Sequence, residues 1–353
     1  MAKKLWKGNE AVAEAAVRGG CNFFAGYPIT PSTEVLEYLS WRMPQLDRVF
    51  IQAENEIASI NMISGASACG ARALTATSGP GGSLKTEGMS YAARNSIPYV
   101  LLNVQRWGTG LGALDSGQTD YFKEVKGGGH GEYKNIVYAP DSVQELVDIA
   151  YEAWDVAEKY RVGVTILSEA YLGQMMEEVE MPPFKEPAPR GWGIDGTGRY
   201  GLGKHSIMMR MPGGMALQGK VYDQIRAEMQ RWEEYGLEDA DYVLVAFGLP
   251  GRVCMDAVKR MRSAGIKAGM IRPKLVWPFP EDAFKKVNPN VRGFASVEST
   301  DFGMMVEDVA LCAKKLGFQA PVYCYGHGKG VPGVGKVIDF YHAMENGEAK
   351  EVF

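Results

Sequence analysis

Four side chains that could bind a ligand or take part in catalysis each follow a short apolar segment of the chain. They are a hydroxyl, two carboxylates and a guanidinium: Thr30, Glu54, Glu56 and Arg106. The guanidinium is either a surface charge or a clamp for a carboxylate, since its planar fork binds two carboxylate oxygens together. Ligands of open α/β sheets bind beyond the carboxyl ends of the strands. We therefore expect the loop that carries Thr30 and a carboxylate to meet at one crevice.

The elements around Thr30 and Glu56 indicate how both are positioned. Residues 22–25 predict a strand, and Thr30 is placed to cap a helix that begins at Pro31. Residues 48–53 predict the next strand, which brings Glu54 and Glu56 to the same edge of the sheet.

Two glycine-rich segments flank the predicted site. Gly79-Pro80-Gly81-Gly82-Ser83 follows a predicted strand over residues 73–78. As a turn before a helix it could bring backbone N–H groups to an anion, but glycine equally serves tight turns and close backbone crossings. It matches neither the P-loop nor the dinucleotide fingerprint. The second segment, over residues 107–120, is typical of a loop that shapes a substrate pocket.

Alternating strands and helices predict an α/β protein with two domains. Residues 1–173 indicate a doubly wound, mostly parallel sheet, because the strand over residues 99–105 is apolar throughout, as in strands covered on both faces. Residues 174–237 indicate a structured linker. The α/β pattern resumes over residues 238–353 as a second, smaller domain.

Composition excludes several classes of function. The 353 residues carry a net charge of −4, so there is no basic field for nucleic acid. No apolar run approaches the roughly 20 residues of a membrane-spanning helix, and no secretion signal is present. Five scattered cysteines without a Cys-x-x-Cys pair exclude the usual zinc or cluster spacing. We expect a cytoplasmic protein with no metal site of its own and no membrane partner.

Several motifs, taken in order, resemble the α subunit of the multi-subunit 2-oxoacid:ferredoxin oxidoreductases: GYPITPST, AENEIASINM, TSGPGGSL, VQR and a GLG…QTDY loop. The resemblance covers essentially the whole chain. It implies a pyrimidine-type thiamin-diphosphate module followed by a transketolase C-terminal-like domain. It also implies the oxidative decarboxylation of a 2-oxoacid with coenzyme A to an acyl-CoA and CO2, with electrons passed to ferredoxin. Thiamin diphosphate would supply the carbanion stabilisation that decarboxylation needs.

The resemblance assigns roles to individual residues. Glu56 matches the carboxylate that hydrogen-bonds the pyrimidine ring of the cofactor, with Glu54 as the runner-up. Arg106 matches the clamp for the substrate carboxylate, and Thr30 the hydroxyl that contacts the 2-oxoacid. The same motifs place further residues at the cofactor, Tyr27, Pro28, Gly79 and Gly81, or in the substrate pocket, Trp107, Gln118 and Asp120.

The resemblance also implies that other subunits complete the enzyme. The GDG…Asn motif that binds the diphosphate and Mg²⁺ in such enzymes is missing here, as are cluster cysteines. A β subunit is therefore expected to hold the diphosphate and Mg²⁺, and γ and ferredoxin-like δ subunits, or their fusions, to hold [4Fe-4S] clusters. The chain alone should be inactive.

Two segments depart from the family pattern. Trp107 stands where many relatives would have a glycine, which reshapes the pocket towards or against bulky substrates. Residues 298–303, ESTDFG, replace an Asn-Gly-Gln-type pattern, so no functional residue is assigned there.

The form of the GLG…QTDY loop favours the branched-chain branch, with 3-methyl-2-oxobutanoate as the expected substrate, over the 2-oxoglutarate branch. Two other classes stay open. A self-sufficient thiamin enzyme of the transketolase or acetolactate type is disfavoured by the missing diphosphate motif. A non-catalytic scaffold subunit of the same fold is disfavoured by the joint presence of Glu56, Thr30 and Arg106.

Overall fold

A computed structural model describes residues 3–185, 193 and 214–353. Within these residues the chain forms a seven-stranded sheet, a five-stranded sheet and a two-stranded ribbon. The strands are β1 (Lys4–Lys7), β2 (Phe23–Gly26), β3 (Val49–Gln52), β4 (Ala73–Thr77), β5 (Val100–Gln105), β6 (Ile136–Tyr138), β7 (Val164–Glu169), β8 (Met176–Val179), β9 (Trp232–Tyr235), β10 (Tyr242–Val245), β11 (Ala268–Pro273), β12 (Leu275–Trp277), β13 (Gly293–Glu298) and β14 (Val322–Gly326). The α-helices are α1 (Gly8–Arg18), α2 (Thr33–Arg42), α3 (Glu56–Ala68), α4 (Gly79–Arg94), α5 (Tyr121–Lys126), α6 (Val143–Tyr160), α7 (Ala170–Gln174), α8 (Gly214–Glu228), α9 (Gly248–Ser263), α10 (Glu281–Phe284), α11 (Val306–Lys315) and α12 (Val334–Glu345).

The seven-stranded sheet has the order β12-β6-β7-β5-β4-β2-β3, and its neighbours are parallel except for the β12–β6 pair. From β2 the chain moves to β3 at one edge, whereas from β4 it moves the other way to β5. The loops after β2 and β4 therefore leave towards opposite faces and open a crevice between them. Such a switch point is where doubly wound sheets bind ligands.

Helices cover both faces of this sheet, as right-handed crossovers in opposite directions require. Helices α1, α2 and α6 pack together on one face, and α3 and α4 pack together on the other. Helices α3 and α4 lie close together. A Cβ added at Gly88 would come within 2.5 Å of the Ile60 side chain. Small residues on these two helices permit that approach.

The five-stranded sheet has the order β14-β13-β10-β11-β9, in which only β9 is antiparallel to its neighbour. Alternate residues of β10 face opposite sides, so Leu244 packs with α9 and α12 while Val243 and Val245 join the core of the first sheet. One apolar core is thus continuous through both sheets.

Two further contacts join the sheets. Strand β12 belongs to the second half of the chain but pairs with β6 at the edge of the first sheet. The buried guanidinium of Arg272 on β11 donates two hydrogen bonds to Glu145 on α6, at 2.9 and 3.0 Å, and one to Glu233 on β9 at 3.0 Å. A buried ion pair of this kind is costly to break.

The fold confirms the predicted α/β class and the mostly parallel first sheet, but it corrects several local predictions. Thr30 does not cap a helix that begins at Pro31, because α2 begins at Thr33. The backbone N–H and the hydroxyl of Ser32 both bond the Ile29 carbonyl, so residues 29–32 form a turn. Helix α6 begins at Val143, and the hydroxyl of its cap residue Ser142 accepts a hydrogen bond from Glu145 N at 3.3 Å.

The predicted linker over residues 174–237 is partly regular structure. Its described parts contain β8, which pairs with β1, helix α8, and β9, which belongs to the second sheet. Residues 186–192 and 194–213 of the linker lie outside the described residues. Among the residues that are described, no helix is long and apolar enough to cross a membrane.

Candidate active site

The carboxyl ends of β2, β3, β4 and β5 bring the predicted site residues to one edge of the first sheet. Thr30 lies in the loop after β2, Glu56 begins α3 after β3, and Arg106 directly follows β5. The predicted glycine-rich turn after β4 is instead the first turn of α4, which begins at Gly79.

Arg106 is buried, and its guanidinium is held by backbone oxygens. It donates one hydrogen bond to the Thr30 carbonyl at 2.8 Å and one to the Leu111 carbonyl at 2.5 Å. Its Nε has no hydrogen-bond partner among the described residues. Burial lowers the pKa of Arg106, and the nearby Asp120 opposes that shift. A charged, buried group with a free N–H is well suited to an incoming carboxylate.

The Glu56 side chain is only 5% exposed and lies against the first turn of α4. A Cβ added at Gly81 would lie 2.5 Å from both Glu56 Oε1 and the Thr77 hydroxyl oxygen. No hydrogen bond or ion pair of the described residues engages the Glu56 carboxylate, and the Thr77 hydroxyl is also unpartnered. Buried polar groups normally have partners, so these two fit a polar ring of a bound cofactor. Glu54, the runner-up, is exposed.

The first turn of α4 lies between the carboxylate and the guanidinium. Gly81 faces Glu56, while a Cβ added at Gly79 would lie 3.2 Å from Nε of Arg106. A side chain at either position would displace a functional group. Of the three uses of glycine left open by the sequence, close backbone approach is the one that this packing supports.

A cavity of about 950 Å³ opens at this edge between the two sheets. It is lined by the start of α4, the loop after β5, α5 and the loop after β13: Gly79, Pro80, Ser83, Leu84, Arg106, Trp107, Gly108, Thr109, Gly110, Leu111, Gly112, Ala113, Thr119, Asp120, Lys123, Thr300, Asp301, Phe302, Gly303 and Met304. Lys123 donates to Asp120 Oδ1 at 2.8 Å and to the Gly79 carbonyl at 3.0 Å. Phe302 and Leu111 are 94% and 80% exposed at its mouth.

Six predicted site residues are not among those that line this cavity: Thr30, Tyr27, Pro28, Glu56, Gly81 and Gln118. Tyr27 is 38% exposed and Pro28 is half-buried, both at the same edge of the sheet. Gln118 is fully buried and bonds the second sheet's loops: its side chain accepts from Ser299 N at 3.0 Å and donates to the Phe247 carbonyl at 3.0 Å. Gln118 therefore joins the two halves of the chain, which corrects its expected place in the substrate pocket.

The ESTDFG departure has a structural explanation. The buried carboxylate of Glu298 accepts hydrogen bonds from the backbone N–H groups of Met304, Met305 and Val306, at 2.7 to 3.0 Å. It thereby satisfies donors at the start of α11. The following residues, 300–304, reach the cavity wall.

Sequence reasoning missed three residues at or beside the site. Lys123 lines the cavity, Lys85 is fully buried next to Glu56, and Glu169 is buried at the end of β7. Lys85 carried a usable signal, since it lies four residues after Gly81 and so shares its helical face. No group of three or more His, Cys, Asp or Glu among the described residues could hold a metal ion.

Comparison with known proteins defines the class. Residues 14–240 match the family model "Pyruvate flavodoxin/ferredoxin oxidoreductase, thiamine diP-bdg", and residues 240–334 match "Pyruvate:ferredoxin oxidoreductase core domain II". The first family model, which covers most of the first sheet, describes the thiamin-diphosphate-binding unit of such enzymes.

Similar proteins narrow this class. The ketoisovalerate oxidoreductase subunit VorB of Methanothermobacter thermautotrophicus is 41% identical over 326 residues, covering 89% of this chain and 90% of that protein. The 2-oxoglutarate synthase subunit KorA of Methanocaldococcus jannaschii is 35% identical over 81% of this chain and 86% of its own. The chain therefore belongs to the 2-oxoacid:ferredoxin oxidoreductase family, as one subunit of a multi-subunit oxidoreductase.

A solved structure shares the fold. The 2-oxoglutarate:ferredoxin oxidoreductase from Magnetococcus marinus, with 2-oxoglutarate, coenzyme A and succinyl-CoA bound, superimposes with a TM-score of 0.83 at 24% identity. The match covers 97% of this chain, which spans 65% of the length of that structure's chain. This superposition confirms the fold that the sequence motifs implied, and the family models and similar proteins confirm the family.

Proposed function

We propose that this subunit binds a branched-chain 2-oxoacid, such as 3-methyl-2-oxobutanoate, for CoA-dependent oxidative decarboxylation to an acyl-CoA and CO2. One observation carries the substrate class. Of the two cations among the described residues that line the cavity, Arg106 has a free N–H, whereas Lys123 is neutralised by Asp120. The site thus offers one free cationic donor, which suits a monocarboxylate with an apolar side chain. Trp107, Leu111 and Phe302 supply apolar surface nearby.

In this proposal each residue of the chain has a separate task. Thiamin diphosphate, when bound, supplies the carbanion stabilisation that decarboxylation needs. Glu56 would hold its pyrimidine ring by a hydrogen bond, since that carboxylate is buried and unpartnered among the described residues. Arg106 would bind the substrate carboxylate, and the exposed Thr30 would offer its hydroxyl to the 2-oxo group.

Other subunits would complete the reaction. We assign the diphosphate and Mg²⁺ to a β subunit, and the [4Fe-4S] clusters that reduce ferredoxin to γ and δ subunits or their fusions. In support, the similar proteins are themselves named as subunits. Coenzyme A would be the co-substrate, since the solved relative from Magnetococcus marinus has coenzyme A bound. All five cysteines are free, which agrees with a reducing cytoplasm.

We also propose a division into domains at residues 1–173, 174–237 and 238–353. The two family models meet at residue 240, which supports the second boundary. Strand β9 lies within the linker range, before that boundary, but it pairs with β11 of the second sheet.

The test is viologen reduction by the complex purified with this chain, given coenzyme A and either 3-methyl-2-oxobutanoate, 2-oxoglutarate, pyruvate or an aryl 2-oxoacid. We expect CoA-dependent reduction that is fastest with the branched-chain acid and is lost in Glu56→Gln. A loss in Glu54→Gln instead would transfer the role to the runner-up.

The main alternative substrate is 2-oxoglutarate, which the KorA relatives at 33 to 35% identity favour. Preference for 2-oxoglutarate in the same assay would replace the branched-chain proposal. No reduction with any acid, in a complex that carries thiamin diphosphate and intact clusters, would favour a non-catalytic scaffold subunit.

A further inference from the structure

We propose that Lys85 is a positioning residue for Glu56: its ammonium ties the first turn of α3, which carries Glu56, to the sheet. This inference rests on the proposed function, because it assumes that Glu56 binds thiamin diphosphate. It concerns a lysine to which the motifs and the similar proteins assign no role.

The packing of α4 against α3 shows that Lys85 is unusual at its position. Gly81, Lys85 and Gly88 follow one another at helical spacing on the face of α4 that meets α3. A Cβ at Gly81 would contact Glu56, and one at Gly88 would contact Ile60. Lys85 is the long charged side chain between two glycines, and it is fully buried. Lysine is almost never fully buried unless its charge is compensated.

The Lys85 ammonium has three oxygen neighbours. It contacts the Ser59 hydroxyl, the Thr75 hydroxyl at 3.1 Å and the Glu56 main-chain carbonyl at 3.4 Å. Two of these oxygens belong to the first turn of α3, and the third belongs to β4. Three acceptors match the three donors of an ammonium group. Lys85 therefore ties the start of α3, where Glu56 lies, to the sheet.

The charge on Lys85 should make its hold on α3 depend on pH. The three hydrogen-bonding oxygens are all neutral, and Glu56 is the charged group that acts on Lys85. Burial lowers the pKa of Lys85 to about 7, while Glu56 opposes this shift. The ammonium that holds the first turn of α3 should therefore be present below about pH 7 and be lost as Lys85 deprotonates above it.

The experiment measures thiamin diphosphate binding, with Mg²⁺ present, to the cofactor-stripped complex by calorimetry between about pH 6 and about pH 8.5. The wild type should bind more weakly as the pH rises through about 7. Lys85→Met, which keeps the length but not the charge, should bind about tenfold more weakly at the acidic end and show no such transition. A Lys85→Met complex with wild-type affinity and wild-type pH dependence would overturn the inference.

Lys134→Met is the matched control. The Lys134 side chain is half-buried, donates to the Val125 carbonyl at 2.7 Å and has a pKa lowered by burial, but it does not contact Glu56. Its variant should bind the cofactor as the wild type does, with the same pH dependence. An equal loss in both variants would show a general effect of removing a buried lysine, and would also overturn the inference.

Two further variants separate the possible failures. If Lys85→Met does not assemble, Thr75→Val removes one acceptor of the ammonium and should move the transition to lower pH; an unmoved transition would count against Lys85. Glu56→Gln tests the underlying proposal. Unchanged binding in Glu56→Gln would reject the proposed function, whereas a loss there with normal binding in Lys85→Met would reject only the role of Lys85.

Discussion

Asp120 controls the charge that the far end of a substrate would meet in the cavity. Its Oδ1 accepts a hydrogen bond from Lys123, and its Oδ2 is buried without a partner among the described residues. Both residues are mostly buried, so solvent screens the pair only partly. The pair is close to neutral as a unit. A second carboxylate on the substrate would therefore find no free cation there.

This pairing predicts a change of substrate preference in Asp120→Asn. The variant leaves Lys123 charged and unpaired, so we expect kcat/KM for 2-oxoglutarate to rise about tenfold relative to 3-methyl-2-oxobutanoate. Any effect on Arg106 cancels in this ratio, because both substrates share the carboxylate that Arg106 would bind. Steady-state viologen reduction with both acids measures it.

Asp115→Asn provides the comparison for this prediction. Asp115 pairs with Lys329 at 3.4 Å, and both side chains are well exposed. Removing that surface pair should leave the substrate ratio unchanged. If both variants shift the ratio equally, the effect comes from net charge and not from the Lys123 pair.

At the scale of elements, the first turn of α4 determines how closely the functional groups can approach the helix backbone. Gly79 borders Arg106, Gly81 borders Glu56, and Gly82 borders the Lys123 ammonium. The helix contains no side chain at these positions, which is costly for helix stability because glycine is a poor helix former. The close approach of three ionisable groups is what the glycines permit.

Gly81→Ala should therefore impair the site more than the fold. Alanine favours the helix by roughly 0.5–1 kcal/mol over glycine, but its Cβ would meet Glu56 Oε1 and the Thr77 hydroxyl at 2.5 Å. We expect the affinity for thiamin diphosphate to fall by at least about tenfold, with little loss of thermal stability. Calorimetry and thermal unfolding of the purified complex measure the two effects.

Gly65→Ala is the control for this substitution. Gly65 lies within α3, and a Cβ there would meet nothing within 4 Å. It should retain wild-type cofactor affinity and gain stability of the size expected from helix propensity. Weak cofactor binding in Gly65→Ala would mean that the helices respond to any added methyl group.

At the scale of the whole molecule, a buried carboxylate lies where the two sheets meet. Glu169 ends β7, and its Oε1 accepts hydrogen bonds from Leu249 N at 3.0 Å and from Gln118 Nε2 at 3.1 Å. Its Oε2 is buried without a partner among the described residues. Burial raises the pKa of Glu169 to about 8, so the neutral acid is the folded form at neutral pH.

This shift predicts a pH-dependent stability of the junction. The folded-state pKa of Glu169 lies above its ordinary value, so its contribution is fully present below about pH 4.5 and is lost as the pH rises through about 8. Glu169→Gln keeps an acceptor for Leu249 N but cannot ionise. We expect the unfolding midpoint of the wild-type complex to fall relative to this variant between about pH 6 and about pH 9, by roughly 2–4 °C per kcal/mol lost.

Glu177→Gln serves as the reference for the junction. Glu177 forms an ion pair with Arg252 that is partly exposed, and its removal should shift the unfolding midpoint little and without a transition near pH 8. A wild-type curve parallel to that of Glu169→Gln across the whole range would contradict a neutral Glu169 in the folded state.

The sequence by itself determined the α/β class, most strands of the parallel sheet and the family. It also predicted the loop, the carboxylate and the guanidinium that meet at one sheet edge. These features depend on residues that are close together in the sequence. Examples are the apolar run of β5 and the motifs that contain Thr30, Glu56 and Arg106. The edge followed because parallel strands end on the same side of a sheet.

Only the tertiary structure decided which side chains share an environment. Residues 79–82 form the start of helix α4 and not a separate loop. This part of the helix packs against Glu56 and Arg106. Gln118 bonds loops more than 120 positions away, and Lys85 lies beneath Glu56. Helix α12, near the end of the sequence, packs on α9. Local periodicity carries no information on such distant partners, because burial and hydrogen bonding arise only once the sheets have come together.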